Sequence, residues 1–297
     1  MNQIHFNKIL CFGEVLWDML PGGKQPGGAP MNVAIHLKKQ GLDPILVSRI
    51  GIDAEGERLK YFLKKADLNL SFLQEDITLP TSKVMVQIKE DGNAGYEIYE
   101  PVAWDNLQYL IDLENFALDA DLIIFGTLAS RNSITRKTLM HLLENSQAKR
   151  FLDINLRPPF DEMTLVESLL FKADFVKLND DELRVVAGWN QKSGTEKELV
   201  MWLANHYNCK LICETRGANG ALLYADNKFY THAGYKVDAV DTVGAGDAFL
   251  AGLIASYSKG LSQGKALEYA VATGAFVASG KGAVPDYSPE DIERIIG

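Results

Sequence analysis

The chain has 297 residues, 47% of them hydrophobic and 23% charged, with a formal net charge of −9. That length supports a large core in one domain, or one domain with a small appendage. The acidic balance excludes the broad basic face that nucleic acid or an anionic membrane requires, but not a small anion held by local N–H groups or a metal ion.

Residues 8–12 form an apolar run that predicts a buried first strand ending at Gly13. A partly alternating stretch, 14–20, reads as a strand, and the Gly- and Pro-rich residues 21–30 read as a loop open to ligand. A helix over 29–39 follows, with Pro30 in its first turn and Gly41 just past its end. Next come a strand at 45–50 and an amphipathic helix at 55–66, with Leu59, Phe62 and Leu63 on one face. Strand-like residues 84–89 and 96–99 flank Asp91-Gly92, a hairpin signal.

From Leu122 onward strands at 122–125, 150–154, 175–178 and 210–214 alternate with helices at 134–145, 165–171, 181–187 and 196–207. A hairpin, 221–224 with 228–231, turns at Asp226-Asn227, and β-like character continues to Val237. Helices at 245–258 and 265–280 and a short helix from Pro289 close the chain. This order predicts an α/β fold: a mostly parallel sheet covered by helices on both faces, with ligands at the C-terminal strand ends. The segments at about 14–25 and 83–101 interrupt the alternation and are expected to form a small β-sheet lid on a single domain spanning 1–297.

Cys11, Cys209 and Cys213 read as small buried residues in a reducing compartment, and the five histidines show no ligand spacing. The N-terminus lacks the features of a secretion signal, and no apolar run approaches the ~20 residues of a membrane helix, so a cytoplasmic location is expected.

The stretch that carries most chemistry is Asp241-Thr-Val-Gly-Ala-Gly-Asp247. Gly244 and Gly246 permit a tight turn whose N–H groups point one way, and the helix that starts there adds its positive end, which together make an anion site. An acid is out of place in a plain phosphate cradle. Asp247 fits if it takes a proton from a nucleophile attacking a phosphoryl group held by the same turn, although Asp in a first helical turn is also favourable by itself. Walker A, G-x-G-x-x-G and protein-kinase patterns are absent.

Four further stretches have a functional and a merely structural reading. Gly27-Gly-Ala-Pro-Met-Asn32 offers close backbone approach and an amide for a polyhydroxylated ligand, or simply a helix start. Asp153-Ile-Asn-Leu-Arg157 lies at a strand end and faces a cleft, or organises a turn. Asn179 and Glu182 have the spacing of a capping box and also suit waters of Mg²⁺. Glu214 to Gly220 can hold nucleotide phosphates or be an ordinary turn. All follow predicted strands or open a helix, so a parallel sheet would bring them to one edge.

In Phe12-Gly-Glu14, Asp18, Gly27 to Asn32, Gly51-Ile-Asp-Ala-Glu-Gly56, Asn179 to Glu182 and Asp241 to Asp247 the chain resembles the ribokinase (PfkB) family of ATP-dependent sugar kinases, over nearly its whole length. The resemblance implies a Rossmann-like α/β domain with a β lid and a homodimer formed through it. It implies that Asp247 is the base and that N–H groups of Gly244, Ala245 and Gly246 form the anion hole. Thr215, Gly217 and Gly220 would meet ATP, and Asn179 and Glu182 would place Mg²⁺ through water. Asp18, Gly28 and Asn32 would hold the sugar, and Asp241 with nearby carbonyls would match a K⁺ site.

Gly27-Gly28-Ala29-Pro30 looks like fructokinases rather than ribokinases, and so do Tyr96, Tyr99, Ala103-Trp104-Asp105 and Asn155 to Pro159, which place both tyrosines and Arg157 among the substrate contacts. Arg157 also matches a 2-keto-3-deoxygluconate kinase. The alternatives are therefore a kinase for a sugar acid, ribose or a nucleoside, or a sugar-binding regulator without catalysis. The intact Gly244 to Asp247 turn speaks against the regulator.

Overall fold

A computed structural model describes residues 6–20, 22–88 and 94–297. The first half runs β1 (Ile9–Phe12), β2 (Leu16–Leu20), β3 (Gly23–Gly27), α1 (Ala29–Lys39), β4 (Ile45–Gly51), α2 (Ala54–Lys65), β5 (Asn69–Asp76), β6 (Ser82–Ile88), β7 (Ala94–Ile98) and α3 (Ile111–Leu118). It continues with β8 (Leu122–Gly126), α4 (Ser133–Asn145), β9 (Lys149–Asp153), α5 (Met163–Leu170), β10 (Phe175–Asn179), α6 (Asp180–Trp189), α7 (Glu196–Tyr207) and β11 (Leu211–Thr215). The chain ends with β12 (Ala221–Ala225), β13 (Lys228–His232), α8 (Ala245–Ser258), α9 (Gln263–Ser279) and α10 (Pro289–Ile296).

Nine strands form one sheet in the order β13-β12-β11-β10-β9-β8-β1-β4-β5, parallel from β11 to β5 and antiparallel at the β12–β13 end. Strand residues alternate between two cores. In β1, Leu10 and Phe12 pack with residues of α3 to α7, whereas Ile9 and Cys11 pack with those of α1, α2, α8 and α9. A strand covered on both faces has no polar side to show, which is why the parallel strands read as continuous apolar runs. The three cysteines are free and buried. Among the described residues no helix is long and apolar enough to cross a membrane.

The expected small sheet is present, with order β3-β2-β6-β7. Residues 23–27, read as loop, are a strand instead: β3 pairs with β2 in antiparallel register, and an edge position leaves Pro26 without a needed N–H. The Asp91-Gly92 turn lies outside the described residues. The Gly51 to Gly56 motif joins the two sheets. Asp53 caps α2 by accepting from Gly56 N–H at 2.7 Å and also accepts from Thr81 N–H at 2.8 Å, one residue before β6.

The chain returns from the small sheet through a buried ion pair. Arg131 Nε and Nη2 each donate to Asp105 at 2.8 Å, with side chains only 3% and 2% exposed, and the guanidinium lies 4.1 Å from the Trp104 ring centre. Arg131 Nη2 also donates to the Tyr99 carbonyl at 2.7 Å. Removing one member strands the other charge in the core, so Asp105→Ala should lower unfolding free energy by about 3 kcal/mol in urea titrations. A loss under about 1 kcal/mol, the range of exposed pairs, would show that the pair does not anchor this return.

Candidate active site

The 241–247 turn lies where the irregular segment after β13 meets α8. The β-like character expected up to Val237 stops at His232, because residues from Ala233 onward pair with no strand and run along a cleft. Gly244 caps α8 in the left-handed region (φ 77°, ψ −5°), and a Cβ on it would stand 2.4 Å from the Ala283 carbonyl oxygen. Both facts demand glycine. The first turn of α8 presents N–H groups without helical acceptors at the positive end of the helix. Ala245 N–H already donates to Thr242 O at 3.2 Å, which leaves Gly244 and Gly246 as the less committed donors of the expected trio.

Asp247 stands in that first turn and is partly buried, next to Gly246, which lines the cleft. Asn32 Nδ2 donates to its Oδ2 at 2.8 Å, joining α1 to α8. Desolvation raises the Asp247 carboxyl to about 6, against the pull of the Lys177 ammonium, the Asn32 hydrogen bond and the Arg157 charge. At neutral pH it is an ionised acceptor held by an amide.

Lys177 was not singled out from sequence. It sits in β10 directly opposite Asp153 of β9, and its buried Nζ donates to both Asp153 oxygens at 3.0 Å. A Cβ on Gly246 would lie 3.0 Å from this Nζ, so the ammonium lies directly against the turn expected to bind an anion. Burial pulls the Lys177 pKa down, but Asp153, Asp247 and Glu182 outweigh it and hold the group charged. The available signal was a lone charge inside the apolar run 175–178.

On the other side of Asp247 lie the residues expected to meet a sugar. Gly28 has φ +118°, and a Cβ there would meet the Glu14 carbonyl oxygen at 2.4 Å. A Cβ on its neighbour Gly27 would stand 2.2 Å from Asp18 Oδ2. Glu14 is a second residue missed as a site group. Its Oε1 accepts from Ala29 N–H at 3.3 Å, and burial pushes its carboxyl up to about 7. Asp18 is raised to about 6, also by desolvation. Arg157 is an exposed residue whose charge acts on Glu14, Asp18 and Asp247 alike. Glu14 Oε2 and Asn32 Oδ1 are buried acceptors with no partner among the described residues. Such atoms suit a ligand rich in hydroxyl donors.

A cleft of about 550 Å³ opens on the α9 side of the turn, lined by Asn179, Thr215, Gly217, Gly220, Ala245 and Gly246 among others. The stretches read separately as phosphate-contacting thus share one cavity. Asn179 and Glu182 form the capping box that their spacing allowed: Asn179 Oδ1 accepts from Glu182 N–H, and Glu182 Oε2 accepts from Asn179 N–H, each at 2.8 Å. Glu182 Oε1 also accepts from Leu156 N–H at 2.8 Å, which ties α6 to the loop carrying Arg157. Asp241 joins two loops, accepting from Val243 N–H at 3.0 Å and Gly282 N–H at 3.1 Å. Tyr99 is 43% exposed, and its carbonyl belongs to the Arg131 anchor rather than to the Asp247 group. The Tyr96 side chain lies outside the described residues.

The pfkB family carbohydrate kinase model matches residues 4–290. A fructokinase of Rhizobium leguminosarum bv. trifolii is 33% identical over 264 residues, covering 84% of this chain and 79% of the relative. Probable fructokinase-7 of Arabidopsis thaliana is 29% identical over 93% of this chain and 88% of its own. The ATP-bound fructokinase structure of Xylella fastidiosa superposes with a TM-score of 0.86 over 98% of both chains at 22% identity. A Vibrio cholerae O395 fructokinase with fructose, ADP and calcium gives 0.83 over 100% of both chains at 21% identity. At those identities the structures establish the shared ribokinase-type fold. With a family model spanning nearly its entire length, the chain belongs to the pfkB family of carbohydrate kinases.

Proposed function

We propose that the chain transfers the γ-phosphoryl group of ATP to a hydroxyl of a neutral sugar, with fructose as the first candidate. The observation that carries this reading is the position of Asp247: a carboxylate held by Asn32 at 2.8 Å, between the 550 Å³ cleft and the Asp18, Gly28 and Asn32 group. ATP would occupy the cleft with its phosphates at Thr215, Gly217 and Gly220. The sugar would lie against Asp18, Gly28 and Asn32, with Asn32 Oδ1 and Glu14 Oε2 accepting hydrogen bonds from its hydroxyls. Tyr96, Tyr99 and Arg157 would border it when the small sheet closes as a lid.

The sugar hydroxyl gives its proton to Asp247 as its oxygen bonds to the γ-phosphorus, and the bond from that phosphorus to the ADP oxygen breaks. The Gly244-Ala245-Gly246 turn, backed by Lys177, faces the negative charge of the phosphoryl group in transfer. Asn179 and Glu182 fit Mg²⁺ held through water, since each Glu182 oxygen receives one backbone N–H and retains a lone pair, and the bound ion would screen phosphate charge. Asp241, whose oxygens each take one N–H, would border a K⁺ site with the same reserve of lone pairs. The charge of exposed Arg157 is already drawn on by Glu14, Asp18 and Asp247, and the acidic surroundings favour a neutral sugar over a sugar acid. A cytoplasmic homodimer assembled through the small sheet belongs to the same proposal.

ADP release should be measured with fructose, ribose, 2-keto-3-deoxygluconate and adenosine. Fructose is expected to give the highest kcat/KM, and a preference for the sugar acid would reassign Arg157 as its carboxylate partner. Asp247→Asn should keep sugar affinity nearly intact and lower kcat by about 10³-fold. Near-normal turnover would remove Asp247 from the role of base. Because its carboxyl titrates at about 6 and must be ionised to accept a proton, kcat/KM should be steady above that pH and fall about tenfold per unit below it. A profile flat down to pH 5 would contradict the assignment.

A further inference from the structure

One face of α1 carries Asn32, His36 and Lys39, with Gln40 as the cap at its C-terminal end, spaced so that a helix places them in one stripe. Asn32 reaches Asp247. One turn further, His36 is fully buried, with Nε2 2.9 Å from the Ala283 carbonyl oxygen and Nδ1 3.0 Å from the Tyr287 hydroxyl. Lys39 Nζ donates to the Val284 carbonyl at 3.3 Å and to that of Pro285. Gln40 Nε2 donates to the Tyr287 hydroxyl at 3.4 Å, and Tyr269 donates to Gln40 Oε1 at 2.6 Å.

The chemistry gives this chain of bonds a single direction. Burial holds the His36 pKa down to about 4, so the imidazole is neutral and has one donor and one acceptor nitrogen. A carbonyl only accepts, so Nε2 carries the hydrogen and donates to Ala283. Nδ1 must then accept, and Tyr287 donates to it. The Tyr287 oxygen receives Gln40, and Gln40 receives Tyr269. The relay thus runs from Tyr269 of α9, through Gln40, Tyr287 and His36, to Ala283.

Ala283 is the residue that packs on the catalytic turn, for its carbonyl oxygen is what a Cβ on Gly244 would strike at 2.4 Å. Its neighbour Gly282 is pinned from the other side by Asp241. α1 therefore grips the turn at both ends: Asn32 holds Asp247, and His36, one helical turn or about 6 Å along the axis, holds the segment behind Gly244.

We propose that His36 is a positioning residue for phosphoryl transfer, which sets Gly244 and the anion-binding turn relative to Asp247 through its hydrogen bond to Ala283. The proposal rests on the kinase reading above. It assigns the polar relay from Tyr269 to His36 a task in catalysis that no substrate contact requires.

The test compares His36→Leu, His36→Gln and Tyr287→Phe in the full-length protein. His36→Leu removes the donor to Ala283 and should lower kcat by about 10²-fold while leaving the sugar KM within about threefold. His36→Gln offers an amide donor at a similar reach and should recover most of the rate. Tyr287→Phe takes away the proton supplied to Nδ1. The ¹⁵N shifts of the His36 ring should stay those of the Nε2–H tautomer, because the Ala283 carbonyl only accepts, while the ring loses its anchor at Nδ1 and kcat falls severalfold. Amide hydrogen exchange at residues 244–247 should quicken in His36→Leu.

A folded His36→Leu protein with wild-type kcat would overturn the proposal, and so would an Nδ1–H tautomer in the wild type. If His36→Leu does not fold, Tyr287→Phe decides: wild-type kcat in that variant overturns it. A wild-type protein that releases no ADP with any sugar would instead sink the kinase reading, and tautomer and exchange would still report on the clamp.

Discussion

A single buried ammonium organises the charge at the centre of this molecule. Lys177 and Asp153 face each other across paired strands β10 and β9, and the ammonium is also felt by Asp247 and Glu182. Three carboxylates gathered near the end of an apolar sheet would repel one another and resist ionisation. The lysine makes the arrangement tenable, and its own charge is kept by those acids against the cost of burial. The position of the ammonium against Gly246 means that the same charge acts on both Asp247 and the turn that precedes it.

The parallel sheet is what lets residues from distant parts of the chain meet around that charge. Glu14 follows β1, Asp153 ends β9, Asn179 ends β10 and Thr215 ends β11, so each stands at the same edge by virtue of strand direction alone. The helices then finish the site from both sides of the sheet. α1 and α8 meet through Asn32 and Asp247, while the N-terminus of α6 is fastened to the Arg157 loop through Glu182. Several residues expected to serve a ligand also hold the protein together. Glu182 and Asp241 each accept two backbone N–H bonds, so the atoms proposed to serve metal ions also fix the backbone around them.

The elements that sequence patterns missed are those whose identity comes from a neighbour. β3 has two glycines, a lysine and a proline and no alternation, and it is extended because β2 lies beside it. β5 is a half-exposed edge strand, so its residues show neither a continuous apolar run nor a clean period of two. α3 is a single short helix with two buried residues, too few to mark a face. The hydroxyl and amide groups of the Tyr269 to His36 relay are equally silent in the sequence, because nothing local sets them apart from surface residues.

From the order of apolar runs, the caps and the glycine positions, the sequence alone determined the α/β alternation, the presence of a small second sheet and the tight glycine turn that opens α8. These are local properties: strand and helix periods, and a backbone conformation that only glycine adopts freely at Gly244. Tertiary structure alone decided that Lys177 lies under that turn, that Glu14 is a buried carboxylate titrating at about 7, and that His36 reaches Ala283 across 247 positions of chain. Those facts depend on desolvation and on contacts between segments far apart in sequence, which composition and spacing do not encode.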